Sequence, residues 1–175
     1  MRINFKDKKP ILNNIALEAP NCSIIGEVFL EEDVSIWFGA VVRADVESVT
    51  IGKRTNIQDN ATVHVNHDTP TIIGEEVTVG HNAVIHACTI GNRCLIGMGA
   101  IVLDNAEIGE GSVVGAGALV TQGKKFPPRS LIIGNPAKAV RNITDDQYTQ
   151  LIQGSELYVQ LAKETQKSLN EGKEN

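Results

Sequence analysis

Aromatic residues are scarce in this 175-residue chain, where one Trp, two Tyr and four Phe make up 4% of the sequence. A core built on large rings is thereby excluded, and the 42% hydrophobic fraction has to pack as Val, Ile, Leu and Ala. Cysteine is sparse too. Cys22, Cys88 and Cys94 are an odd number without CxxC spacing, which excludes a disulfide framework and points to small buried thiols in a reducing compartment. There is no basic excess: 16 dispersed Lys and Arg against 21 Asp and Glu leave a net charge of −5. Such a chain has no field to attract a phosphate backbone, so nucleic acid is not an expected partner. No apolar run approaches the roughly 20 residues of a membrane span. Met1 to Pro10 is charged where a signal peptide would be apolar. The expectation is one soluble, cytoplasmic domain without a membrane partner.

What the chain does have is a period. An aliphatic residue followed by a small one returns every six positions: Ile73-Gly74, Val79-Gly80, Ile85-His86, Ile90-Gly91, Ile96-Gly97, Val102-Leu103, Ile108-Gly109, Val114-Gly115 and Val120-Thr121, with one residue missing between Ile85 and Ile90. An earlier run reads Ile36, Val42, Ile51, Ile57 and Val63, with insertions after Val42 and Val63. A helix would space apolar residues three or four apart and a plain strand would alternate them, so neither explains a strict six. Short strands joined by sharp corners do: the anchors stack into a core that no single coil could bury alone. The fold class expected is all-β, a parallel β-helix of about six coils at roughly 4.8 Å each. Glycine after the anchor suits a crowded or strained backbone near a corner.

After Pro127-Pro128 and the Gly134-Asn135-Pro136 turn the beat stops. Thr144 with Gln147 forms a capping-box signature, and Tyr148, Leu151, Ile152, Ser155, Tyr158, Val159 and Ala162 form one stripe from Asp145 to about Lys167. We therefore expect a β-helix domain over residues 1–143, a C-terminal helix over 144–170 packed along it, and a frayed tail over 171–175.

Numbering faces from the anchors gives A at Ile51, B at Ile57 and C at Val63, then A at Ile73, B at Val79 and C at Ile85. His64 follows Val63 and His86 follows Ile85, so both take the same position on face C, one coil apart. Two imidazoles on strands ~4.8 Å apart can tilt onto one metal at Zn–N distances of about 2.0–2.1 Å. His81, two residues past Val79, lies on face B and points elsewhere. A cyclic trimer in which face B of one prism meets face C of the next would bring it to the pair. The same counting sets Arg43 one coil below His64 if the insertion after Val42 is a corner loop, and Asp59, with Gln58 beside it, one coil below His81. Three neutral imidazoles without a fourth protein ligand describe a catalytic site with an open position, for which zinc is the default metal. Iron or cobalt would accept the same ligands.

The stretch from Ser35 to Asp45, with Asn56-Ile57-Gln58-Asp59, His64, Gly80-His81, Ile85-His86 and Ile133-Gly134-Asn135-Pro136-Ala137-Lys138, resembles the gamma-class carbonic anhydrases, which are left-handed hexapeptide-repeat β-helices. The resemblance covers roughly Ile11 to Lys163. It implies a zinc homotrimer with the metal shared between subunits, hydrating carbon dioxide to bicarbonate by metal-bound hydroxide. It implies interface salt bridges from Arg43 and Asp45, with Asp59 in the same network. It also implies a hydrogen bond from Gln58 to the bound hydroxide, support of the pocket by Asn56, and Tyr158 as the pocket tyrosine. The chain departs from the best-known members at Val46 and Gln160, and it carries Asn66-His67-Asp68-Thr69-Pro70 in place of an acidic loop. These departures imply a low activity. In that segment His67 is a candidate proton carrier, since an imidazole in water titrates near about 6.5.

Two other classes fit a hexapeptide-repeat trimer. One is an acyltransferase or thioesterase acting on acyl-coenzyme A, for which Lys124, Lys125 and Arg129 could meet a nucleotide phosphate. The other is a non-catalytic, metal-binding trimeric scaffold.

Overall fold

Every anchor of the six-residue period lies in register with its counterpart one coil away in the computed structural model, which describes residues 1–172. On face B the column is Ile36, Ile57, Val79, Ile96, Val114 and Ile132. On face C it is Ile24, Val42, Val63, Ile85, Val102 and Val120. On face A it is Leu30, Ile51, Ile73, Ile90, Ile108 and Phe126. All but Phe126 are buried. The three columns fill one continuous core, and neighbouring coils are held by parallel hydrogen bonds.

Face B is a sheet of eight strands, seven of them parallel from Leu17–Glu18 to Ser130–Gly134, closed by the antiparallel Ala137–Asn142. Faces A and C join into one twelve-stranded sheet because Ser23–Leu30 and Val41–Ile51 run from one face to the next without a break. The insertion after Val42 is therefore not a corner loop. It is absorbed into the 11-residue strand Val41–Ile51, whose pairing with Ser23–Leu30 shifts register between Gly26 and Val28. The insertion after Val63 does leave the solenoid, as a tight loop closed by the Asn66–Thr69 bridge.

Ile24 and Leu30 lie below the first anchor counted, and Ile132 continues the beat past the Pro127-Pro128 break. The solenoid exceeds the expected six coils at its N-terminal end, where Arg2–Ile3, Ile11–Leu12 and Leu17–Glu18 pair beneath the columns. The hairpin from Ser130–Gly134 to Ala137–Asn142 then covers the open edge of face B.

Glycine after the anchor proves to be a matter of crowding. A Cβ on Gly97 would sit 2.5 Å from the Ala116 nitrogen and 2.8 Å from the Gly115 carbon and Val114 oxygen of the next coil. The left-handed corner residue comes two positions later, as at Arg93 with φ 56° and Gly99 with φ 66°.

The C-terminal helix, Asp145–Glu171, begins with the expected box: Thr144 Oγ1 accepts from the Gln147 N–H, and Gln147 Oε1 accepts from the Thr144 N–H. It lies against face B, with Ala162 beside Leu17 and Trp37, and Trp37 edge-on to Tyr158 at 5.8 Å. Lys163 reaches Asp33 at 2.8 Å. The helix continues past Lys167 because Leu169 still packs on that cluster and Gln166 Oε1 accepts from the Glu18 N–H. Glu171, expected in the frayed tail, is helical, and Gly172 is the C-cap. Residues 173–175 of that tail lie outside the described residues. Among the described residues no helix is long and apolar enough to cross a membrane.

Candidate metal centre

His64 and His86 each follow a fully buried anchor, Val63 or Ile85, so alternation along the strand turns both imidazoles outward. They pair in register on adjacent strands, with Arg43 one coil below in the same column. His64 Nδ1 lies 3.1 Å from His86 Nε2. The other nitrogen of each ring faces a carboxylate: His64 Nε2 is 3.1 Å from Asp45 Oδ1, and His86 Nδ1 is 2.5 Å from Asp104 Oδ1. Asp45 also accepts from Arg43, and Asp104 Oδ2 accepts from Asn66 Nδ2 at 2.6 Å.

These contacts select the tautomers. An ionised carboxylate only accepts, so the ring nitrogen facing it carries the proton and the opposite one presents a lone pair. Burial is the largest effect on both carboxyls and pushes each up. It is outweighed at Asp45 by bonds from His64, its own backbone and Arg43, and at Asp104 by bonds from Asn66 and His86, so both titrate below the usual range. Burial pushes the His64 imidazole down, against the pull of Asp45, which favours its neutral form. In these tautomers the two rings aim lone pairs at each other across 3.1 Å, an arrangement that repels unless a cation lies between them. Two nitrogens in a tetrahedral set at Zn–N of about 2.0–2.1 Å stand about 3.4 Å apart, close to the separation observed. The donor set fits zinc.

His81 repeats the pattern on another face. Its Nδ1 is 2.9 Å from Asp59 Oδ2, one coil below, which leaves Nε2 free. Within one chain it does not join the pair: among the described residues, no three His, Cys, Asp or Glu side chains group closely enough to hold a metal. His81 instead shares a cavity of about 480 Å³ with Gln58 and Tyr158, floored by Gly80, Leu95, Gly97 and Val113 and roofed by Leu151 and Gly154 of the helix. Gln58 is buried and donates from Nε2 to Asn56 Oδ1 at 3.1 Å, and Asn56 Nδ2 donates to the Thr78 hydroxyl at 3.0 Å. Burial, and after it the charge of Asp59, pushes the Tyr158 phenol up.

The predicted residues thus fall into two groups in one chain: Arg43, Asp45, His64 and His86 on face C, and Asn56, Gln58, Asp59, His81 and Tyr158 on face B. Within the chain Asp59 meets His81. His67 is exposed on the 66–69 loop, and its backbone N–H bonds to Asn66 Oδ1 at 2.8 Å. Its ring takes no part in the hydrogen bonds that hold the three histidines. Asp104 and Asn66 are not singled out by sequence reasoning. Extending the face count one coil above His86 reaches Asp104, two residues past anchor Val102.

Over 147 residues the chain is 45% identical to a carbonic anhydrase of Geobacillus kaustophilus, an alignment covering 84% of this chain and 81% of that protein. It is 40% identical over 167 residues to the mitochondrial gamma carbonic anhydrase 2 of Arabidopsis thaliana. The chain belongs to the gamma carbonic anhydrase family. The Arabidopsis alignment covers 92% of this chain but 60% of that protein's length. A crystal structure from Bacillus cereus, carrying the provisional label acetyltransferase, superimposes with a TM-score of 0.92 at 42% identity, covering 95% of this chain and 97% of the other. Residues 48–87 match the hexapeptide repeat of succinyl-transferase and residues 87–122 the bacterial transferase hexapeptide. In this member of the gamma carbonic anhydrase family, His64, His81 and His86 all fall within the first of those two spans.

Proposed function

We propose that the chain is a zinc-dependent carbonic anhydrase that hydrates carbon dioxide reversibly to bicarbonate, as a homotrimer with its metal sites between subunits. One observation carries the reading. Carboxylates hold one nitrogen of each of three histidines, leaving two bare nitrogens 3.1 Å apart on face C and a third on face B. Outward side chains on two faces of a prism diverge, so the third ligand has to come from the partner subunit's His81, with face B of one copy against face C of the next. Iron or cobalt suit the same donors, but three imidazoles with an open fourth position are a common catalytic zinc set.

When bound, the metal supplies Lewis acidity that brings a water's pKa to about 7, a figure that belongs to carbonic anhydrase chemistry in general and not to this chain. The remaining work falls to the chain's own residues. Gln58, its amide nitrogen committed to Asn56, keeps its carbonyl oxygen as an acceptor beside His81. Tyr158, with its phenol pushed up, stays protonated at neutral pH and serves as a donor on the opposite wall. Leu95 and Val113, on the outward positions beside the buried anchors Ile96 and Val114, give the cavity an apolar floor that suits an uncharged, linear substrate. His67, on its exposed loop, carries protons to solvent. The volume of the cavity exceeds what a triatomic substrate fills, which favours as a second reading the hydrolysis of an acyl thioester at the same centre.

Metal analysis after chelator-free purification is expected to find about one metal per chain, and finding none would sink the site. Stopped-flow hydration by the loaded wild type has to exceed that of His81→Ala, or the catalytic reading fails. An acyl-coenzyme A assay on the same two proteins decides the second reading. Subunit mixing tests the shared site. His64→Ala and His81→Ala trimers, each without metal, should regain about a quarter of the wild-type sites when refolded together at equal amounts, because each random interface in a ring has that chance of pairing an intact His64 with an intact His81. No regain would overturn the interfacial arrangement.

A further inference from the structure

We propose that Asp104, pinned by Asn66, is the positioning residue that fixes the His86 ring with Nε2 toward the metal. The inference rests on the metal site proposed above. It also gives a function to the insertion after Val63, which breaks the six-residue beat.

Asp104 is committed at both oxygens. Oδ1 accepts from His86 Nδ1 at 2.5 Å and Oδ2 accepts from Asn66 Nδ2 at 2.6 Å. Asn66 opens the inserted loop, whose backbone closes on itself through Asn66 and Thr69 at 3.1 and 3.2 Å. Asn66 stands two residues after His64, so one short segment carries the first imidazole and the donor that immobilises the support of the second. The contacts close a circuit from His64 through Asn66 and Asp104 to His86, and from His86 back to His64 at 3.1 Å. Without Asp104, His86 could rotate about its ring axis or take the other tautomer. Either change would turn a protonated nitrogen toward His64 and cancel the lone pair a metal needs.

An exposed ion pair such as Lys125–Glu107, at 2.6 Å with side chains 69% and 53% exposed, has no such consequence. Asp104 and His86 are 19% and 30% exposed, enclosed enough for the hydrogen bond to govern ring orientation. Asp104 does not touch the substrate. It acts through His86.

The first readout needs no metal. In metal-free protein with nitrogen-15 histidine, long-range proton–nitrogen correlation should report His86 as the Nδ1–H tautomer. Asp104→Leu should shift it toward Nε2–H, the form imidazole prefers in water. Wild-type His86 already protonated at Nε2 would overturn the proposal. The second readout is chelator competition with cobalt, followed by its visible spectrum. Asp104→Leu should weaken metal binding by about 10–100-fold, the usual cost of losing a carboxylate behind a ligating histidine. Asp104→Asn, which keeps an acceptor for Nδ1–H, should recover part of that loss, and Asn66→Ala should show a smaller one. Glu107→Ala serves as a control and should match wild type. Should Asp104→Leu fail to fold, Asn66→Ala carries the test alone: an affinity within twofold of wild type would overturn the proposal. Wild type that binds no metal while His86 is the Nδ1–H tautomer would refute the metal site and leave the orienting role of Asp104 standing.

Discussion

Adding a single methyl group at Gly97 should destabilise the protein, although glycine-to-alanine changes elsewhere in a chain commonly do the reverse. Replacing glycine by alanine removes freedom from the unfolded chain and contributes about 0.4–1 kcal/mol of stability where the backbone is compatible. Gly97 has no left-handed φ, so the backbone itself would accept alanine. The obstacle is the next coil. The new Cβ would lie 2.5 Å from Ala116 nitrogen and 2.8 Å from Gly115 carbon and Val114 oxygen, and these backbone atoms have no rotamer through which to yield. Restoring an ordinary contact of about 3.4 Å requires the two coils to part by roughly 0.6–0.9 Å. The Gly97 N–H to Val114 oxygen bond, 2.8 Å long, lies across that gap. Overpacking of this kind costs about 1–3 kcal/mol, and stretching the bond adds a share of its net worth of about 0.5–1.5 kcal/mol. The cost outweighs the entropic gain, for a net loss of about 1–3 kcal/mol, or roughly 3–10 °C in Tm for a chain of this size. Strain should also reach the site, since the Gly99 N–H two residues on donates to the His81 carbonyl at 2.9 Å.

Gly154 provides the contrast within the same molecule. It is helical, and a methyl group added there would meet nothing within 4 Å, so Gly154→Ala should gain about 0.8–1 kcal/mol from helix propensity alone. Thermal unfolding of the two variants followed by circular dichroism, at one protein concentration, separates them. A Gly97→Ala protein that melts at or above wild type would show that crowding between coils does not require glycine after the anchor.

Further outcomes follow from buried thiols and buried charge. Burial pushes Cys88 and Cys94 up to about 12, so neither thiol should react with Ellman's reagent at pH 8 until the protein unfolds; rapid labelling of the native protein would contradict this. Each folded-state value lies above the ordinary thiol value of 9.0, so the folded form keeps a proton that the unfolded form loses. Stability should therefore be fully present below about pH 9 and decline by about 1.4 kcal/mol per pH unit per thiol up to about pH 12; a flat profile there would refute it. Glu76, 4% exposed, accepts from Arg93 Nε at 2.7 Å and pairs with Arg54. Glu76→Gln should lower stability by about 1–3 kcal/mol in urea titration, less than a fully buried pair because both guanidinium groups reach solvent, and a change below about 0.5 kcal/mol would contradict that ranking.

The period of six was legible because each anchor has to be aliphatic wherever it falls, and counting along it was enough to put Arg43, His64 and His86 in one column. Counting also set Asp59 below His81, and the structure joins the two at 2.9 Å. The ends were less legible. Ile24 and Ile132 are anchors followed by Ile25 and Ile133 rather than by small residues: Ile25 follows the habit of face C, where Arg43, His64, His86 and Leu103 also stand after anchors, and Ile133 lies against the antiparallel Ala137–Asn142 rather than another coil. The strand Val41–Ile51 was hidden because the extra residues after Val42 interrupt the six-residue beat just as a corner loop would, although the chain turns that corner while keeping its hydrogen bonds. Asp104 escaped notice for a different reason. A carboxylate on an outward position reads as a solvated charge, and only the side chain beneath it, His86, distinguishes it from one.

The solenoid explains why such a centre would be divided between copies. Stacking sets a fixed separation along one face, which suits two ligands one coil apart, and His64 and His86 meet at 3.1 Å for that reason. Around the prism the faces diverge, so a third ligand on the same chain cannot reach the pair without a long excursion of backbone. The inserted loop at 66–69 is too short and too tightly closed for that, and it is engaged with Asp104 instead. Each face can therefore complete its own part of the site, two histidines with Asp45 and Asp104 on one and His81 with Asp59 on the other, before any subunits meet. Under the proposed arrangement metal then binds only the assembled form, and by mass action it stabilises the trimer by about 4 kcal/mol per site at a free metal concentration about a thousand times the Kd.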